Sequence, residues 1–532
     1  MWLMDHQMNL RVSETFGQYY VRLPLSKAAK IVHGNALKTD WASLSIAKVA
    51  TSDQPIATQT NIFNESTDLF SASTNLTGSK NLLSLPSVAA FDFILGNPPF
   101  IGSKMMTDAQ RTDLLGVFGK VDGAGVMDYV TAWYVKAAKL IQRTPTKVAF
   151  VSTNSIAQGE QVGILWNVLF NFYKIKIQFA HQTFKWSNEA KGNAAVYCVI
   201  IGFSCADGDS TEKTIFEYAD VKAEPQAQIV KNINPYLTSG SDSFISKRTK
   251  PLCDVPEIVF GSMPNDGGNF LFTNDEKIEF IKQEPNAEAW IKPFIGAYEF
   301  LNNELRWCLW LVDVSPDELR KMPLVYKRIE AVKQLRLQSK RQATTKLAMF
   351  PYFFGENRQP QTNYILVPST TSENRRYIPM GFFDKNYIAN NSCLTIPNGD
   401  LYLFGQLTSQ MHMAWVSYVC GRLKSDFRYS NTIVYNNYPF PKNVDEKTKK
   451  KVEGAAQTVL DVRQNYKNSS LADLYDALAM PPDLVKAHQT LDRAVDACYR
   501  VQAFTTGLQR IEFLFALYEQ YTAPMFATKK KK

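Results

Sequence analysis

Four consecutive residues, Asn97, Pro98, Pro99 and Phe100, carry groups that suit chemistry on the exocyclic amine of a nucleobase; they stand in FDFILGNPPFIG. Such an amine is a poor nucleophile because its lone pair is delocalised into the ring. The side-chain carbonyl of Asn97 and the backbone carbonyl of Pro98 could accept its two hydrogens and stabilise the charge that develops as the nitrogen attacks a methyl sulfonium. Each proline ring stiffens the turn by restricting φ, and Phe100 offers a face for a base. The alternative is a turn that merely ends a strand, where Asn and Pro are common.

The elements around this motif alternate between strand-like and helix-like patterns. Five segments rich in Val, Ile and Phe are predicted as strands: KIVHGNAL (30–37), FDFILGN (91–97), KVAFVST (147–153), KIQFAHQTF (176–184) and AAVYCVIIGF (194–203), the last fully buried. Strand and helix in alternation predict a doubly wound α/β sheet, whose ligands bind beyond the carboxyl ends of the strands. The motif follows its strand at such an end.

The clearest helix of this part is predicted over 128–142, DYVTAWYVKAAKLIQ. Asp128 is a plausible N-cap because its side chain could accept hydrogen bonds from the first free amides. One face of the helix is apolar and comprises Val130, Trp133, Tyr134, Ala137 and Leu140. The helix is therefore expected to pack against the sheet.

The rest of the chain divides by composition. Residues 51–85 are polar and rich in Ser, Thr and Asn, which predicts a surface insertion. We predict four parts: an α/β core at 1–205, a connector at 206–245, a region of short strands broken by Pro, Gly and Asn at 246–441, and a helical segment at 442–528. In the helical segment, PPDLVKAHQTLDRAVDACYR predicts a helix with an apolar face of Leu484, His488, Leu491, Val495 and Cys498.

Composition limits the class of protein. The chain has 532 residues with 45% hydrophobic and 20% charged residues, typical of a soluble globular protein of several domains. A net charge of +9 suits a polyanionic partner without proving one. The seven cysteines form no C-x-x-C pair, which argues against a zinc site or disulfide framework and favours a reducing cytoplasm. The histidines show no metal-ligand spacing, so no metal is expected. No apolar run approaches the roughly 20 residues that span a bilayer, and the N-terminus does not read as a signal peptide.

Beyond its four residues, FDFILGNPPF resembles the catalytic motif of S-adenosylmethionine-dependent DNA amino-methyltransferases, whose adenine-N6 branch typically carries NPPF or NPPY. Further segments resemble the methylase, target-recognition and C-terminal parts of the large single-chain type II restriction–modification enzymes: DHQMNLRVSETFGQYYVRLPL, IVHGNALKTDW, SENRRYIPMGF, GRLKSDFRYSNTIVYNNYPFP and SLADLYDALAMPPDLVKAHQTLDRAVD. The resemblance implies a class I methyltransferase (Rossmann-like) sheet lacking its first strands, an α+β target-recognition domain and a C-terminal helical segment. It also implies S-adenosylmethionine as cofactor and double-stranded DNA as partner.

The resemblance implies roles for individual residues of the core. Asn97 to Phe100 would be the catalytic motif. Asn35, followed by Ala36, falls where the family often has an Asp that faces the adenine of the cofactor. Asp128 would lie near the cofactor pocket, with an ordinary N-cap as the alternative. Phe184 or Trp186 could stack on a flipped base, and an aromatic residue of the core is the competing interpretation.

Basic residues mark the region expected to contact DNA. Between 246 and 441, Arg and Lys alternate with aromatic and amide side chains, which can reach phosphates and base edges. The run 320–346 holds nine Lys and Arg against one acid, Glu330, although a solvated basic helix would look similar. In GRLKSDFRYSNT, Arg422, Lys424 and Arg428 are the candidates for DNA contact. Ion pairing with neighbours such as Asp426 is the competing explanation.

Two elements that the family has are missing from this sequence. The D-P-x-C-G-x-G-x-F loop that cradles the methionine part of the cofactor does not occur, and neither does a nuclease motif. We therefore expect an adenine-specific DNA methyltransferase that needs a missing N-terminal portion or a separate chain supplying the loop and nuclease. A non-catalytic DNA-binding remnant is the alternative. Methylation of cytosine N4 stays open, whereas the C5-cytosine mechanism is set aside because no cysteine follows a proline. Asn-Pro-Pro enzymes that methylate protein glutamine or RNA are usually compact, and the long basic region argues against them.

Overall fold

The computed structural model describes residues 32–44, 91–186, 196–206, 212–218, 223–423 and 425–529. The predicted insertion at 51–85 lies outside these ranges.

A six-stranded mixed sheet forms the centre of the first part. Its strands are β1 (Phe93–Gly96), β2 (Lys147–Thr153), β3 (Ile175–Trp186), β4 (Val196–Cys205), β5 (Lys213–Glu217) and β6 (Gln226–Val230), in the spatial order β1-β2-β4-β3-β5-β6. β1 is parallel to β2, whereas β4 lies antiparallel between β2 and β3. The predicted α/β class is confirmed. β5 and β6 fall within the segment predicted as a connector and extend the sheet beyond β3.

Three helices accompany this sheet: α1 (Asp108–Phe118), α2 (Thr131–Leu140) and α3 (Gly159–Trp166). Helix α2 packs on the sheet through Tyr134, whose ring stacks on Phe203 at 5.5 Å between centroids and meets Phe150 edge-on at 5.2 Å. The buried Tyr134 hydroxyl is hydrogen-bonded to Ser152 on β2 at 2.8 Å, so its polar end is satisfied. The predicted apolar face of α2 is therefore the face that contacts the sheet.

Two sequence-based expectations in this part are wrong. Helix α2 begins at Thr131 after Val130, which makes no side-chain cap hydrogen bond, so Asp128 is not the N-cap. Its carboxylate instead accepts hydrogen bonds from Ser103 and Ser155. In KIVHGNAL, the described residues 32–37 form no strand; a turn begins at Asn35, whose carbonyl accepts from the amides of Lys38 and Thr39.

Residues 246–441 fold into short strands and helices. One part of the region has a hydrophobic core of its own around Phe270, Phe294 and Val332, whereas other residues, including Ile365 and Trp415, join the core of the central sheet. The strands are β7 (Val259–Phe260), β8 (Leu271–Thr273), β9 (Ile291–Ile295), β10 (Arg306–Leu309), β11 (Tyr364–Pro368), β12 (Thr370–Thr371), β13 (Gly381–Phe383), β14 (Ile388–Ala389), β15 (Cys393–Pro397), β16 (Gly421–Leu423) and β17 (Asp426–Arg428). The helices are α4 (Asn274–Gln283), α5 (Ala297–Asn302), α6 (Pro316–Arg320), α7 (Pro323–Leu337), α8 (Gln342–Lys346), α9 (Leu401–Leu407) and α10 (Gln410–Val419). They surround two four-stranded sheets and one three-stranded sheet, an α+β arrangement.

The C-terminal residues are helical as predicted. The helices are α11 (Glu446–Gln464), α12 (Leu471–Leu474), α13 (Pro482–Tyr499) and α14 (Gly507–Lys529). On α13 the predicted face is buried at Leu484, His488, Leu491 and Val495, and half-buried at Cys498. These side chains join the same hydrophobic core as α2 and the central sheet. None of the described helices is both long and apolar enough to cross a membrane.

Candidate functional site

The motif Asn97 to Phe100 leaves the carboxyl end of β1, as the α/β pattern predicts. Asn97 and Pro99 are exposed, whereas Pro98 is buried. A side chain at Gly96 would crowd the Phe150 ring, since its Cβ would lie 3.2 Å from two ring carbons, so a glycine lets the chain turn here. The loop continues to Ile101, whose carbonyl accepts from the amide of Tyr129 at 2.9 Å. The motif is thereby tied to the segment that leads into α2.

Asp128 holds three loops together beside the motif. Its carboxylate accepts from the amide of Ser103 at 3.0 Å and from the Ser155 hydroxyl at 2.6 Å. Its own amide donates to the Gln161 side chain at 3.0 Å. Ser103 follows the motif and Ser155 follows β2, so the Asp128 side chain joins the ends of the two parallel strands. Its contacts are structural ones that shape the site.

A cavity of about 660 Å³ opens next to the motif. Its lining brings together residues that are distant in sequence: Gly34, Asn35, Ala36, Trp41, Leu44, Phe91, Phe93 to Pro99, Tyr129, Trp133, Leu140 and Phe150. The size lies within the range of small-molecule sites, and a wall of aromatic residues with a few amide groups is typical of them. The predicted catalytic and cofactor-binding residues Asn97, Asn35 and Ala36 therefore share one cavity.

The Asn35 side chain is held by partners within the protein. Its amide nitrogen donates to the Asp113 carboxylate at 2.7 Å, and its oxygen accepts from the amide of Leu37 at 2.9 Å. The nearly buried Asp113 also pairs with Lys38 at 3.3 Å, and it accepts from the Tyr129 hydroxyl. Burial and this carboxylate both raise the pKa of Tyr129. A side-chain hydrogen bond from Asn35 to Tyr129 partly opposes this rise, so the Asn35 amide has partners in both Asp113 and Tyr129.

The candidates for base stacking lie on β3. The Phe184 ring centroid is 6.4 Å from that of Trp186 and 5.5 Å from that of Tyr218. Trp186 is 40% exposed and precedes the segment 187–195, which lies outside the described residues. Strands β2 and β4 separate β3 from the motif-bearing strand β1. The two rings belong to one small aromatic group, and the geometry does not distinguish between them.

The basic candidates lie on a hairpin formed by β16 and β17, which we call the recognition hairpin (421–428). Arg428 is exposed, and Lys424 lies outside the described residues. Arg422 is turned inward: its guanidinium lies 3.8 Å from the Phe427 ring centroid and donates to the Ser425 carbonyl at 2.8 Å. Burial lowers the pKa of Arg422. Its acidic partner is Glu373, whose carboxylate lies 3.4 Å from the guanidinium. The sequence analysis instead considered a neighbour in the chain, such as Asp426.

Glu373 connects the recognition hairpin to the central sheet. Its carboxylate accepts from the Tyr197 hydroxyl on β4 at 2.8 Å as well as from Arg422. A second contact lies nearby, where Gly159 at the start of α3 meets Gly421: a Cβ on Gly159 would stand 2.8 Å from the Gly421 Cα. The hairpin is thus attached to the α/β core at two points. Nothing in the local sequence around Glu373, Tyr197 or Asp113 signals these contacts.

The basic run 320–346 divides into inward and outward cations. On α7, Arg328 donates to the Asn269 carbonyl at 2.6 Å, and Arg336 is fully buried. Arg320 and Lys333 pair with acids on their own helices, Asp317 and Glu330. The other five face solvent: Lys321, Lys327, Lys340, Arg341 and Lys346. Four of the nine cations therefore have partners within the described part of the chain, and five are exposed.

The described residues contain no group of three or more His, Cys, Asp or Glu that could hold a metal ion.

Comparison with known proteins accounts for the chain almost from end to end. Three family models match: the MmeI DNA-methyltransferase domain at residues 1–217, the MmeI target recognition domain at 239–442 and the MmeI C-terminal domain at 444–526. DNA methyltransferase A of Bacillus subtilis (strain 168) is 38% identical over 523 residues, which are 98% of this chain and 54% of that protein. The solved structure of the type IIL restriction–modification enzyme MmeI in complex with DNA is 44% identical, with a TM-score of 0.78 over 98% of this chain and 64% of that one. The chain thus spans about half the length of the Bacillus relative.

Proposed function

The chain belongs to the MmeI family of DNA methyltransferases, and we propose that it acts as a site-specific DNA methyltransferase that modifies adenine N6 within a restriction–modification system of the cytoplasm. The observation that carries this proposal is the position of the motif at the carboxyl end of β1, with Asn97, Pro98 and Pro99 on the wall of the 660 Å³ cavity. The identity of the motif favours adenine N6 over cytosine N4, whose enzymes more often have Ser in place of Asn97.

The proposed chemistry uses few groups of the chain. The Asn97 side-chain oxygen and the Pro98 carbonyl accept the hydrogens of the target amine and pull its nitrogen toward tetrahedral geometry. The nitrogen lone pair would then take up a methyl group, whose bond to the sulfonium sulfur of the cofactor would break as the nitrogen–carbon bond forms. One proton of the amine would pass to solvent. Phe100 stacks on the base, which must leave the duplex to enter the cavity. Phe184 or Trp186 supplies the opposing face in this proposal.

S-adenosylmethionine fits the cavity as the proposed cofactor, and when bound it supplies the electrophilic methyl group. The cavity is large enough, and Trp41, Phe93 and Trp133 offer apolar faces for an adenine ring. Asn35 and Ala36 lie on the same wall of the cavity. Asp128 contributes indirectly because it joins the loops that follow β1 and β2. The glycine-rich loop for the methionine part is proposed to come from a further N-terminal portion or from a separate chain.

Double-stranded DNA is the proposed partner, and the solved structure of MmeI, a complex with DNA, supports a DNA partner. We propose that the region 246–441 reads the target and that the recognition hairpin contacts it through Lys424 and the exposed Arg428. Arg422 stabilises the same hairpin, since its guanidinium contacts Glu373 and the Phe427 ring.

Methyl transfer to DNA tests the proposal directly. This chain should be assayed with labelled S-adenosylmethionine, both alone and together with a polypeptide that carries the D-P-x-C-G-x-G loop. Transfer to adenine in at least one arrangement is expected. If neither arrangement methylates DNA while DNA binding persists, the chain is the non-catalytic DNA-binding remnant.

A further inference from the structure

Two large apolar side chains stand side by side on the surface of the region 246–441. Met349 is 75% exposed and Phe350 is 56% exposed. They close a single helical turn, Leu347–Met349, that follows α8. We call Met349 and Phe350 the apolar tip. Adjacent exposed apolar side chains of this size are a feature of contact surfaces more than of ordinary solvated turns.

A buried cation organises the turn that carries the apolar tip. Arg336 is fully buried and donates five hydrogen bonds of 2.8 to 3.2 Å to backbone carbonyls: those of Pro264, Asn265, Leu347, Phe350 and Phe353. Burying a charge is costly, and here many carbonyl dipoles compensate for it. One of the five acceptors belongs to Phe350 itself. These hydrogen bonds fix the shape of the turn, whereas the side chains of Met349 and Phe350 are exposed.

Three cations precede the apolar tip on the segment that leads into it. Lys340, Arg341 and Lys346 are exposed, and we call them the basic collar. No ion pair joins any of them to an acid within the described part of the chain. This distinguishes them from Arg320 and Lys333, which are paired. The collar thus adds positive charge to the exposed segment that ends in the apolar tip.

We propose that the apolar tip and the basic collar form a contact site for duplex DNA. Phe350 and Met349 lie against bases or deoxyriboses in a groove, and the collar binds phosphates on either side. Apolar wedges and aromatic faces flanked by Lys and Arg are a recurrent way of holding DNA without a sequence code. The unpaired cations favour a polyanion over an apolar protein partner. The inference rests on the proposed function only in taking DNA as the partner, not on catalysis.

Equilibrium binding of the full chain to a fluorescein-labelled duplex of mixed sequence, at several salt concentrations, tests the site. Phe350→Ala should weaken binding about tenfold, as for one lost aromatic stacking contact, with the salt dependence unchanged. Met349→Ala should weaken it in the same sense. Replacing all three collar residues by Gln should instead flatten the plot of log affinity against log salt by roughly two to three units, one per lost phosphate contact.

Matched controls separate this site from general effects. Leu478→Ala removes an apolar side chain that is 99% exposed outside the site, and it should bind DNA like the unsubstituted chain. Thermal unfolding of each variant shows whether a loss of binding reflects a loss of fold. Unchanged DNA affinity in both Phe350→Ala and Met349→Ala would overturn the proposal, and so would a chain that does not bind DNA at all. Absence of methyl transfer with intact binding would refute the proposed enzyme function alone.

Discussion

Glu373 is the residue whose substitution most directly tests how the recognition hairpin is held. Its carboxylate accepts from Tyr197 on the central sheet and from Arg422 on the hairpin. Glu373→Gln keeps an acceptor for the Tyr197 hydroxyl but removes the charge that faces the Arg422 guanidinium. Tyr197→Phe removes the hydroxyl and keeps the ring. The two substitutions therefore affect different halves of one bridge.

The expected magnitude follows from burial and geometry. The Arg422 and Glu373 side chains are 19% and 25% exposed, so their contact falls between a solvated pair, worth about 0 to 1 kcal/mol, and a desolvated one. The Tyr197 hydrogen bond is short, at 2.8 Å, and it is charge-assisted. Each single substitution should make local opening of the hairpin about 1 to 2 kcal/mol easier. Amide exchange of the opened segment then accelerates about 5- to 30-fold.

Hydrogen exchange followed by mass spectrometry measures this opening at residues 421–428. A double-mutant cycle should show coupling, with Tyr197→Phe costing less once Glu373 is Gln, because the two side chains act through one contact. Glu330→Gln, which breaks the half-exposed pair with Lys333, is the matched control and should leave the hairpin unchanged. Strictly additive effects, or unaltered exchange of the hairpin in Glu373→Gln, would refute the bridge.

Three further substitutions test the packing around the site. Gly159→Ala should lower the free energy of unfolding by about 1 to 2 kcal/mol and accelerate amide exchange of the hairpin, because φ at this residue is +62° and the new Cβ would meet Gly421. Gly116→Ala is the control: its new Cβ has open space, and neither effect is expected. Arg336→Met should lower the unfolding free energy by about 3 kcal/mol or more, since it removes the five hydrogen bonds that the guanidinium donates to backbone carbonyls. Lys327→Met on the exposed side of α7 should not have this effect, and equal unfolding curves for the two variants would contradict the assignment. Burial raises the pKa of Asp492 to about 6. The unfolded carboxyl titrates near 4, so between about pH 4 and 6 the folded state binds more protons than the unfolded state. The stability that Asp492 contributes is therefore present below this pH window and is lost as pH rises through it. Relative to Asp492→Asn, the unsubstituted protein should therefore lose stability from pH 4 to 6 and run parallel above pH 7; a parallel course throughout would contradict the assigned cause.

Local sequence patterns predict the helices and strands that position the site, because buried residues recur with the spacing of the element that carries them. The apolar positions of α2 and α13 recur at helical spacing and face the core, and the strand that ends at Gly96 precedes the motif as expected. The same argument applies to Arg336, which follows Val325, Ile329 and Val332 at helical spacing on the buried stripe of α7. Its inward position could have been found from the sequence by that spacing.

Side-chain partners far apart in sequence could not be predicted in this way. Asn35 lies on the cavity wall, but its amide donates to Asp113, which is 78 residues later. The sequence predicts Asp128 as an N-cap, but its carboxylate accepts hydrogen bonds from Ser103 and Ser155, which follow β1 and β2. Which carboxylate reaches which donor depends on the folded arrangement of loops, and no local propensity encodes it.

The proposal that Asn97 performs the chemistry is tested most directly by Asn97→Ala in the enzyme reconstituted with its cofactor loop. Methyl transfer and DNA binding should be measured on the same preparations. Because Asn97 is exposed and only its side-chain oxygen is proposed to act on the amine, transfer should fall by about a hundredfold or more while DNA affinity stays largely intact. Equal loss of transfer and affinity would show that Asn97 is structural, and full transfer by the variant would contradict the proposed mechanism outright.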